Sequence, residues 1–393
     1  METSRILKKK HFRVKHQKQK LFRANEPILS VFMWGINHTI NELSHVNIPV
    51  MLLPDDFRAN TKIKVDNHLF NKDNMPSHFK VKEYCPLVFK NLRERFQIDD
   101  VDYRESLTRS QPILIDSSGK SGAKFYQSYD KFFILKSLTS EEVERMHAFL
   151  KHYHPYVVEK HGKTLLPMYL GMYRLTVENV QYYFVVMRNV FSAHLTIHKK
   201  FDLKGSTVDR EASDKELEKH LPTFKDNDFM SQRKNIKVGE GAKEKLFVTL
   251  QHDTDFLKKL HIMDYSLLVG IHDKNRAEDE QQQVAQTDNA GNRSDHSESE
   301  DGERWNYKTP PDSPRQGNYN DIIPEIDIYA LGSSDQTEIF FVAIIDVLTQ
   351  YDVKKQAAKA AKTVWYNNVD GISTCDPEQY AKRFIEFMDK VIE

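Results

Sequence analysis

The sequence contains few cysteines and no long hydrophobic run. Its two cysteines, Cys85 and Cys375, are too few for a disulfide framework or a cysteine-based zinc site, and this scarcity is typical of a reducing compartment. No apolar stretch approaches the roughly 18 residues that a membrane-spanning helix needs, and no apolar core follows the basic beginning as in a signal peptide. We therefore expect a soluble protein whose contact with membranes depends on surface patches.

The net charge of zero conceals two oppositely charged segments. Residues 1–23 contain nine Lys or Arg against the single acid Glu2, and residues 273–303 contain ten acids against three bases. We interpret residues 1–24 as a basic tail, which is either simply solvated or serves as a nuclear address or a contact for an anionic surface. Residues 273–324 lack apolar periodicity, which predicts a disordered acidic insertion.

Two acidic residues lie next to strongly apolar segments. Asp264 lies near the start of residues 260–271, and Asp346 directly follows the seven apolar residues 339–345. Both segments are typical of buried strands. An unpaired buried carboxylate is energetically very costly, so either acid alone is most simply explained by a structural arginine or a helix cap. Two acids delivered by two core strands are better explained by one shared site.

Residues 116–125 form a segment of small and basic residues that precedes a predicted hairpin. It contains Gly119, Lys120, Ser121 and Gly122. Glycines let backbone N–H groups approach phosphate oxygens, although such a segment taken alone is usually a plain turn. Here the second strand of the following hairpin ends on Lys136. A glycine-containing loop followed by a strand lysine is the arrangement with which a kinase-type lobe binds the phosphates of ATP.

The order of the next predicted elements favours the same interpretation. Thr139 and Glu142 form a capping box that predicts a helix directly after Lys136, and either Glu142 or Glu144 could pair with this lysine. A hairpin is predicted over residues 168–187. The chain then leaves the sheet, where the hinge that holds the adenine base is expected. The expected hinge residues are Met187, Arg188, Asn189 and Val190.

A further motif, Asp-Leu-Lys-Gly-Ser-Thr, occupies residues 202–207. Together with the glycine loop, Lys136, residues 263–270 and the Ile-Ile-Asp triplet that ends at Asp346, it resembles the phosphatidylinositol phosphate kinases. The resemblance implies an α+β fold of two lobes, distantly similar to protein kinases, with antiparallel sheets and packing helices. It implies an N-terminal lobe over residues 25–190, including a dimerisation region, and a C-terminal catalytic lobe over residues 191–393.

The same motifs differ from those of protein kinases. Asp264 follows Ile-Met where protein kinases have His-Arg, and Val269 stands in place of their metal-binding asparagine. Asp346 is followed by Val-Leu instead of Phe-Gly. The resemblance therefore implies a shared nucleotide lobe and a different substrate side.

The resemblance also implies a role for each candidate residue. Asp346 would bind the Mg²⁺ that accompanies ATP, Asp264 would orient or deprotonate the attacking inositol hydroxyl, and Lys136 would bind the phosphates of ATP. The transferred phosphate and the lipid phosphates would be surrounded by Lys120, Arg210 and Lys225, with Lys204 as a further candidate. Surface charge is the simpler explanation for any one of these cations.

Residues 347–376 are expected to determine substrate specificity. Tyr351, Lys355, Lys359, Lys362 and Trp365 share one face of a predicted helix. Such a basic, aromatic-tipped face suits an anionic membrane, although a solvent-exposed helix is an equal alternative. Type I relatives carry a glutamate two residues after the lysine pair. Here Lys354 and Lys355 are followed by Gln356 and Ala357, which resembles the type II branch, the phosphatidylinositol 5-phosphate 4-kinases.

We therefore expect a lipid kinase that converts phosphatidylinositol 5-phosphate to the 4,5-bisphosphate with ATP and Mg²⁺. The alternatives are a phosphatidylinositol 4-phosphate 5-kinase and a phosphoinositide-binding scaffold with little turnover. The expected partners are anionic membranes, bound peripherally, and a second copy of the chain in a homodimer, with no nucleic acid. The expected location is the cytoplasm at the inner face of the cell membrane or internal membranes, and the nucleus is left open.

Overall fold

The computed structural model describes residues 22, 24–47, 49, 51–66, 75–116, 122–232, 235–291, 320–351 and 376–393. Several predicted features lie outside these residues. They are almost all of the basic tail, residues 117–121 of the glycine loop (with Gly119, Lys120 and Ser121), and the part of the specificity loop that contains Lys354, Lys355 and Ala357.

Helices are interspersed with groups of successive strands along the described chain. The N-terminal elements are α1 (Pro27–Ser44), β1 (Asn60–Val65), β2 (Phe79–Tyr84), α2 (Pro86–Arg95), α3 (Asp100–Thr108), β3 (Ile113–Ile115), β4 (Phe125–Gln127), β5 (Phe133–Leu138), α4 (Ser140–Glu159), β6 (Tyr169–Val177) and β7 (Val180–Arg188). The C-terminal elements are β8 (Lys199–Leu203), α5 (Asp214–Leu217), β9 (Thr223–Phe224), α6 (Asp226–Gln232), α7 (Glu240–Lys259), β10 (Ser266–Asp273), α8 (Lys274–Gly291), β11 (Ala330–Gly332), β12 (Glu338–Ile345) and α9 (Pro377–Val391). None of these helices combines the length and the apolar character that crossing a bilayer requires.

In the described part of the chain, seven strands form an antiparallel sheet in the order β1-β2-β6-β7-β5-β4-β3. The predicted hairpin is confirmed, because Glu178 and Asn179 join β6 to β7 with φ angles of 51° and 66°. Two consecutive positive φ angles give the turn whose twist matches that of a hairpin. The predicted capping box is also confirmed, since the side chain of Thr139 accepts from the Glu142 N–H and Glu142 caps the Thr139 N–H.

The second sheet has the order β11-β12-β10-β8-β9 in the described residues. Its strands are antiparallel except for β8 and β9, which run parallel. The fold is therefore the predicted α+β class with antiparallel sheets and packing helices. One buried core cluster continues from Phe149 of α4 to Phe256 of α7 and Val269 of β10, so the two sheets are joined by a packed interior.

A buried carboxylate fixes the junction between the two sheets. Asp253 of α7 accepts hydrogen bonds from Tyr156 Oη at 2.6 Å, Thr164 Oγ1 at 2.7 Å and the Leu165 N–H at 2.7 Å. Burial raises the pKa of Asp253 to about 6, and the three hydrogen bonds oppose this rise. In addition, the Leu165 carbonyl accepts from the Ile344 N–H of β12 at 2.8 Å. The segment between α4 and β6 is thus tied to both α7 and β12.

At the beginning of the predicted acidic insertion, the structure differs from the disorder that we expected. We expected disorder from residue 273, but Lys274–Gly291 form helix α8. The reason is that Ala, Glu and Gln favour helix even without apolar periodicity, and Arg276 Nε and Glu280 Oε1 add a pair four residues apart at 2.8 Å. Lys274 Nζ also contacts Asp321 Oδ1 at 2.5 Å, which brings the two ends of the insertion together.

The N-terminal sheet buries a carboxylate with little compensation. Glu83 of β2 and Arg93 of α2 are fully buried, and Tyr173 Oη lies 3.5 Å from Glu83 Oε1. Arg93 instead gives its closest contact to Asp100 Oδ1, at 2.5 Å. Burial raises the pKa of Glu83 from 4.5 to about 7, although Arg93 acts in the opposite direction. The folded protein therefore retains the Glu83 proton over a range in which the unfolded chain has lost it.

This raised pKa predicts a pH-dependent effect of Glu83→Gln. As pH rises from 4.5 to about 7, Glu83 progressively lowers the stability of the wild type, and the effect is constant above that range. Relative to the wild type, Glu83→Gln should gain up to about 3 kcal/mol of unfolding free energy between about pH 5 and pH 8. Urea unfolding at both pH values measures this, with Glu94→Gln, an exposed acid of α2, as the control. The prediction would be contradicted if the difference in unfolding free energy between the wild type and Glu83→Gln were the same at both pH values.

Candidate active site

The pairing of β10 with β12 brings the two predicted acids to one end of the second sheet. Ser266 lies opposite Ile345, so Asp264, just before β10, and Asp346, just after β12, lie at the same end. Both acids have left-handed backbone conformations, with φ of 63° and 62°. Aspartate tolerates this conformation better than most residues, and such backbone strain is concentrated at functional sites. The structure therefore brings together the acids that the sequence suggested as one site.

Lys136 reaches the same place from the other sheet. In β5 it lies between Phe125 of β4 and Val185 of β7, and its Nζ is 3.6 Å from Asp346 Oδ1. The side chain of Lys136 is 16% exposed and that of Asp346 is 52% exposed, so the pair opens to solvent on the side of the acid. The sequence left Glu142 and Glu144 open as partners of Lys136. Instead, the structure pairs Lys136 with Asp346, while Glu142 caps its own helix.

The described end of the glycine loop is anchored beside this lysine. The Lys124 N–H donates to Ser137 Oγ at 2.8 Å, and the Ser137 N–H donates to the Lys124 carbonyl at 2.9 Å. Gly122 has a φ of 69°, a conformation that glycine adopts without strain. Because Ser137 follows Lys136 directly, the loop is fixed one residue away from the predicted phosphate ligand.

The predicted hinge residues use much of their bonding capacity internally. The Asn189 N–H and its Nδ2 donate at 2.8 Å to the carbonyls of Phe132 and Lys131 respectively. The Arg188 guanidinium lies 4.7 Å from the Phe132 ring centroid, and its Nη2 donates to the Ile326 carbonyl at 2.8 Å. Met187 and Val190 pack partly buried against the two cores. The polar side chains of the hinge thus fix the shape of the hinge. Its apolar side chains and its backbone are left to contact an adenine base.

The substrate-side motif is organised by an acid that the sequence analysis did not single out. Asp226 Oδ1 accepts from the N–H groups of Lys204 at 2.9 Å and Gly205 at 2.8 Å, and its Oδ2 accepts from Arg210 Nε at 2.6 Å. Arg210 Nη2 also donates to Asp202 Oδ1 at 2.7 Å. Two carboxylates therefore neutralise Arg210, which is 8% exposed. The signal for Asp226 was its position directly after the candidate Lys225, at the start of a helix.

These contacts give Arg210 a structural function in the loop, and its direct contact with a lipid phosphate stays a prediction. Lys225 donates its backbone N–H to Asp228 Oδ2 at 2.9 Å. Lys204, Arg210 and Lys225 are therefore brought to one region through Asp226 and its helix, and their backbones are well fixed.

The donor set at the acids suits magnesium. Among the described residues, no group of three or more His, Cys, Asp or Glu could hold a metal ion by itself. Magnesium bound with a nucleotide commonly takes only one or two carboxylates, with phosphates and waters completing the octahedron. Asp346, which is half exposed and follows β12, fits this requirement, and Asp264 lies at the same end of the sheet.

A lysine on a strand of one sheet lies 3.6 Å from an acid that ends a strand of the other, which is the arrangement expected of a kinase-type phosphotransferase. Comparisons with known proteins agree with this class. The family model described as "Phosphatidylinositol-4-phosphate 5-Kinase" matches residues 106–391. The chain is 57% identical to the human phosphatidylinositol 5-phosphate 4-kinase type-2 beta, covering 98% of this chain and 94% of that protein. It is 56% identical to the type-2 alpha protein of Gallus gallus, covering 98% and 96%.

The chain therefore belongs to the phosphatidylinositol phosphate kinase family, in its type II branch. As a kinase of this family, it uses ATP as the phosphate donor.

The Lys136–Asp346 pair predicts a large effect of Asp346→Asn. Asparagine tolerates the left-handed backbone at this position, so the fold should persist while the charge that would hold magnesium is lost. We expect phosphate transfer to fall at least about 100-fold, with a melting temperature close to that of the wild type. Glu178→Gln removes an exposed acid that also has a positive φ, and it should retain activity within about twofold. Comparable activity of Asp346→Asn and Glu178→Gln would contradict the assignment.

Proposed function

We propose that this protein transfers the γ-phosphate of ATP to the 4-hydroxyl of phosphatidylinositol 5-phosphate, giving phosphatidylinositol 4,5-bisphosphate. The observation that carries the proposal is that Lys136 of one sheet lies against Asp346, at the end of the other sheet where Asp264 also lies. The choice of lipid is supported by the names of relatives that are 55–57% identical over 98% of the chain.

Each of these three side chains has a defined part in the transfer. The oxygen of the 4-hydroxyl forms a bond to the γ-phosphorus while the bond from that phosphorus to the bridging oxygen of ADP breaks. Asp264 orients the hydroxyl and accepts its proton. Lys136 balances negative charge on the phosphates, and electrostatic stabilisation from all such groups together is usually the largest contribution to a transfer of this kind. Magnesium bound through Asp346 would supply further charge neutralisation.

The remaining candidates form the rest of the proposed site. Lys120 in the glycine loop would contact the transferred phosphate together with the loop backbone at Gly119 and Ser121. Lys204 and Lys225 would contact the phosphates of the lipid headgroup, with the loop shape set by Arg210 and Asp226. Beyond the described residues, the proposal assigns Lys354 and Lys355 to the headgroup and Ala357 to the selection of the lipid.

The substrate assignment predicts the outcome of a labelling experiment. With radiolabelled ATP and magnesium, the wild type should label phosphatidylinositol 5-phosphate strongly and phosphatidylinositol 4-phosphate at least about tenfold less. Ala357→Glu introduces the glutamate that type I relatives carry and should shift labelling toward the 4-phosphate lipid. This shift should occur without loss of total activity, because Lys136, Asp264 and Asp346 are unchanged.

The two alternatives give different results in the same experiment. Preferred labelling of the 4-phosphate lipid by the wild type would identify a 5-kinase. Binding of lipid by a folded preparation that labels neither substrate would identify a scaffold. Equal labelling of both lipids by the wild type would contradict the selectivity proposed for Ala357.

We further propose that the protein binds anionic membranes peripherally, at the inner face of the cell membrane or internal membranes, in the cytoplasm. The support is a basic face on the edge of the N-terminal sheet, made by Lys62, Lys64, Lys80, Lys82 and Arg174. Lys62 lies opposite Lys82, and Lys64 lies opposite Lys80. Burial lowers the pKa of Lys82, and the charges of Arg174 and Lys62 lower it further. Asp66 Oδ2 lies 2.8 Å from Lys64 Nζ and compensates one of these charges, which leaves an excess of four cations. Like charges placed opposite each other are destabilising, so an anionic surface would relieve the remaining repulsion.

The weak membrane binding expected of one subunit favours a homodimer. An excess of four cations at about 1 kcal/mol each supplies about 4 kcal/mol, which corresponds to a Kd of roughly 1 mM. Two subunits presenting the same face would bind far more tightly, because the second face binds without a second translational cost. Strand β1 ends the sheet of the described residues, and an edge strand offers backbone groups for pairing with another copy.

The basic face predicts salt-dependent vesicle binding. Lys62→Glu with Lys64→Glu should weaken binding to vesicles with about 20% phosphatidylserine at least tenfold, while activity on a soluble short-chain lipid persists. The same change at two exposed lysines of α7, Lys245→Glu with Lys259→Glu, should have a much smaller effect. Sedimentation of each variant checks the oligomeric state. Equal losses in the two double variants would contradict a specific role of the β1 face.

A further inference from the structure

The residues just before Asp264 are bound to the segment that follows β12. The Met263 N–H donates to the Thr349 carbonyl at 3.0 Å, and the Tyr351 N–H donates to the His261 carbonyl at 2.9 Å. A short antiparallel bridge thus fixes the backbone on the N-terminal side of the acid.

The residue just after Asp264 is bound to the last helix. The hydroxyl of Tyr380 in α9 donates to the Tyr265 carbonyl. The rings of Tyr380 and Tyr265 meet edge to face, with centroids 4.8 Å apart, and Phe384 lies on Tyr265 at 5.1 Å. All three side chains are fully buried. Burial, followed by the neighbouring Tyr265 and Asp264, raises the pKa of Tyr380 well above its usual range, so the hydroxyl remains a proton donor.

Between these two attachments, Asp264 holds its left-handed conformation with a φ of 63°. A non-glycine residue in this region persists only when its surroundings hold it there. The preceding attachment acts on Met263 and the following one acts on the carbonyl of Tyr265. Losing either one would let the backbone at Asp264 relax and its carboxylate turn.

Helix α9 is itself fixed against the substrate-side loop. Gly205, with a φ of 68°, lies so close to α9 that a Cβ there would be 2.9 Å from Phe387 Cβ and 3.1 Å from the Arg383 carbonyl. The helix that holds Tyr265 therefore also contacts the loop that Asp226 organises. Tyr380 is thus linked to Asp264 through Tyr265, and its helix is linked to the substrate-side loop through Gly205.

We propose that Tyr380 is a positioning residue for phosphate transfer: its hydroxyl fixes the Tyr265–Ser266 peptide, one residue beyond Asp264, and so aims that carboxylate at the acceptor hydroxyl. This inference rests on the proposed function, in which Asp264 orients that hydroxyl. Tyr380 does not touch the reacting atoms and acts only through Asp264.

The variant Tyr380→Phe tests this role, since it keeps the buried ring and removes only the hydrogen bond. We expect kcat to fall at least about tenfold, with KM for ATP and for the lipid within about twofold of the wild type. Tyr153→Phe is the matched control. Tyr153 is fully buried and donates its hydroxyl to a backbone carbonyl, that of Pro167, at 2.7 Å, so its loss should cost stability without changing kcat by more than about twofold.

Two further measurements separate positioning from general destabilisation. Because Tyr380 acts through Asp264, adding Tyr380→Phe to Asp264→Asn should lower single-turnover transfer by less than about twofold, whereas a purely structural effect would lower it by the full factor. Hydrogen exchange of amides 262–268 should be faster in Tyr380→Phe than in the wild type and unchanged in Tyr153→Phe.

Wild-type kcat in Tyr380→Phe, or a full additive loss in the double variant, would overturn the inference. If the wild type transferred no phosphate to either lipid, the proposed function would fail. Hydrogen exchange would still decide whether Tyr380 holds the segment around Asp264, because that measurement needs no turnover. Unchanged exchange in Tyr380→Phe would overturn the inference in that case as well.

Discussion

The register between β10 and β12 is the constraint on which the active site depends. Ser266 opposite Ile345 places one acid before the first strand and the other after the second, at one end of the sheet. Side chains alternate along a strand, so a slip of one residue would turn the side chains of the shifted strand to the opposite face. Both strands are almost entirely buried, so after such a slip these side chains would no longer fit the neighbours that they pack against. The apolar packing that stabilises the sheet therefore also sets the relative position of the two carboxylates.

The structural charges and the proposed catalytic charges differ in burial and in the number of their hydrogen-bond partners. Asp253 and Asp226 are buried, and each accepts at least three hydrogen bonds from groups of the protein itself. The pair of Lys136 and Asp346 is looser, at 3.6 Å, and open to solvent on one side. A buried charge with a complete set of partners holds its surroundings in place, whereas a loosely paired one can exchange its partner for a ligand. This difference separates the carboxylates that stabilise the fold from the side chains that can bind ATP.

The sequence was sufficient to predict the local elements and the chemistry, and insufficient for partners distant in the chain. Strand-ending acids, the Thr139 capping box and the β6–β7 turn depend on short-range patterns, and the structure contains all of them. The partner of Lys136 lies at the end of a strand of the other sheet, so the nearby sequence offered Glu142 and Glu144 as possible partners but not Asp346. The two acids that neutralise Arg210 are separated from it along the chain and were not predicted, while its contact with a lipid phosphate stays a prediction. Helix α8 was missed because its residues favour helix without an apolar stripe.

The left-handed backbone at both active-site acids has an evolutionary consequence. Few residues occupy this conformation without strain, and asparagine is one of them. In the genetic code, every aspartate codon becomes an asparagine codon by a single base change. A gene duplicate of this protein could therefore lose phosphate transfer in one mutational step while its sheets, its basic face and its core remained intact. The geometry that shapes the enzyme thus also makes non-catalytic descendants with the same surfaces easy to reach.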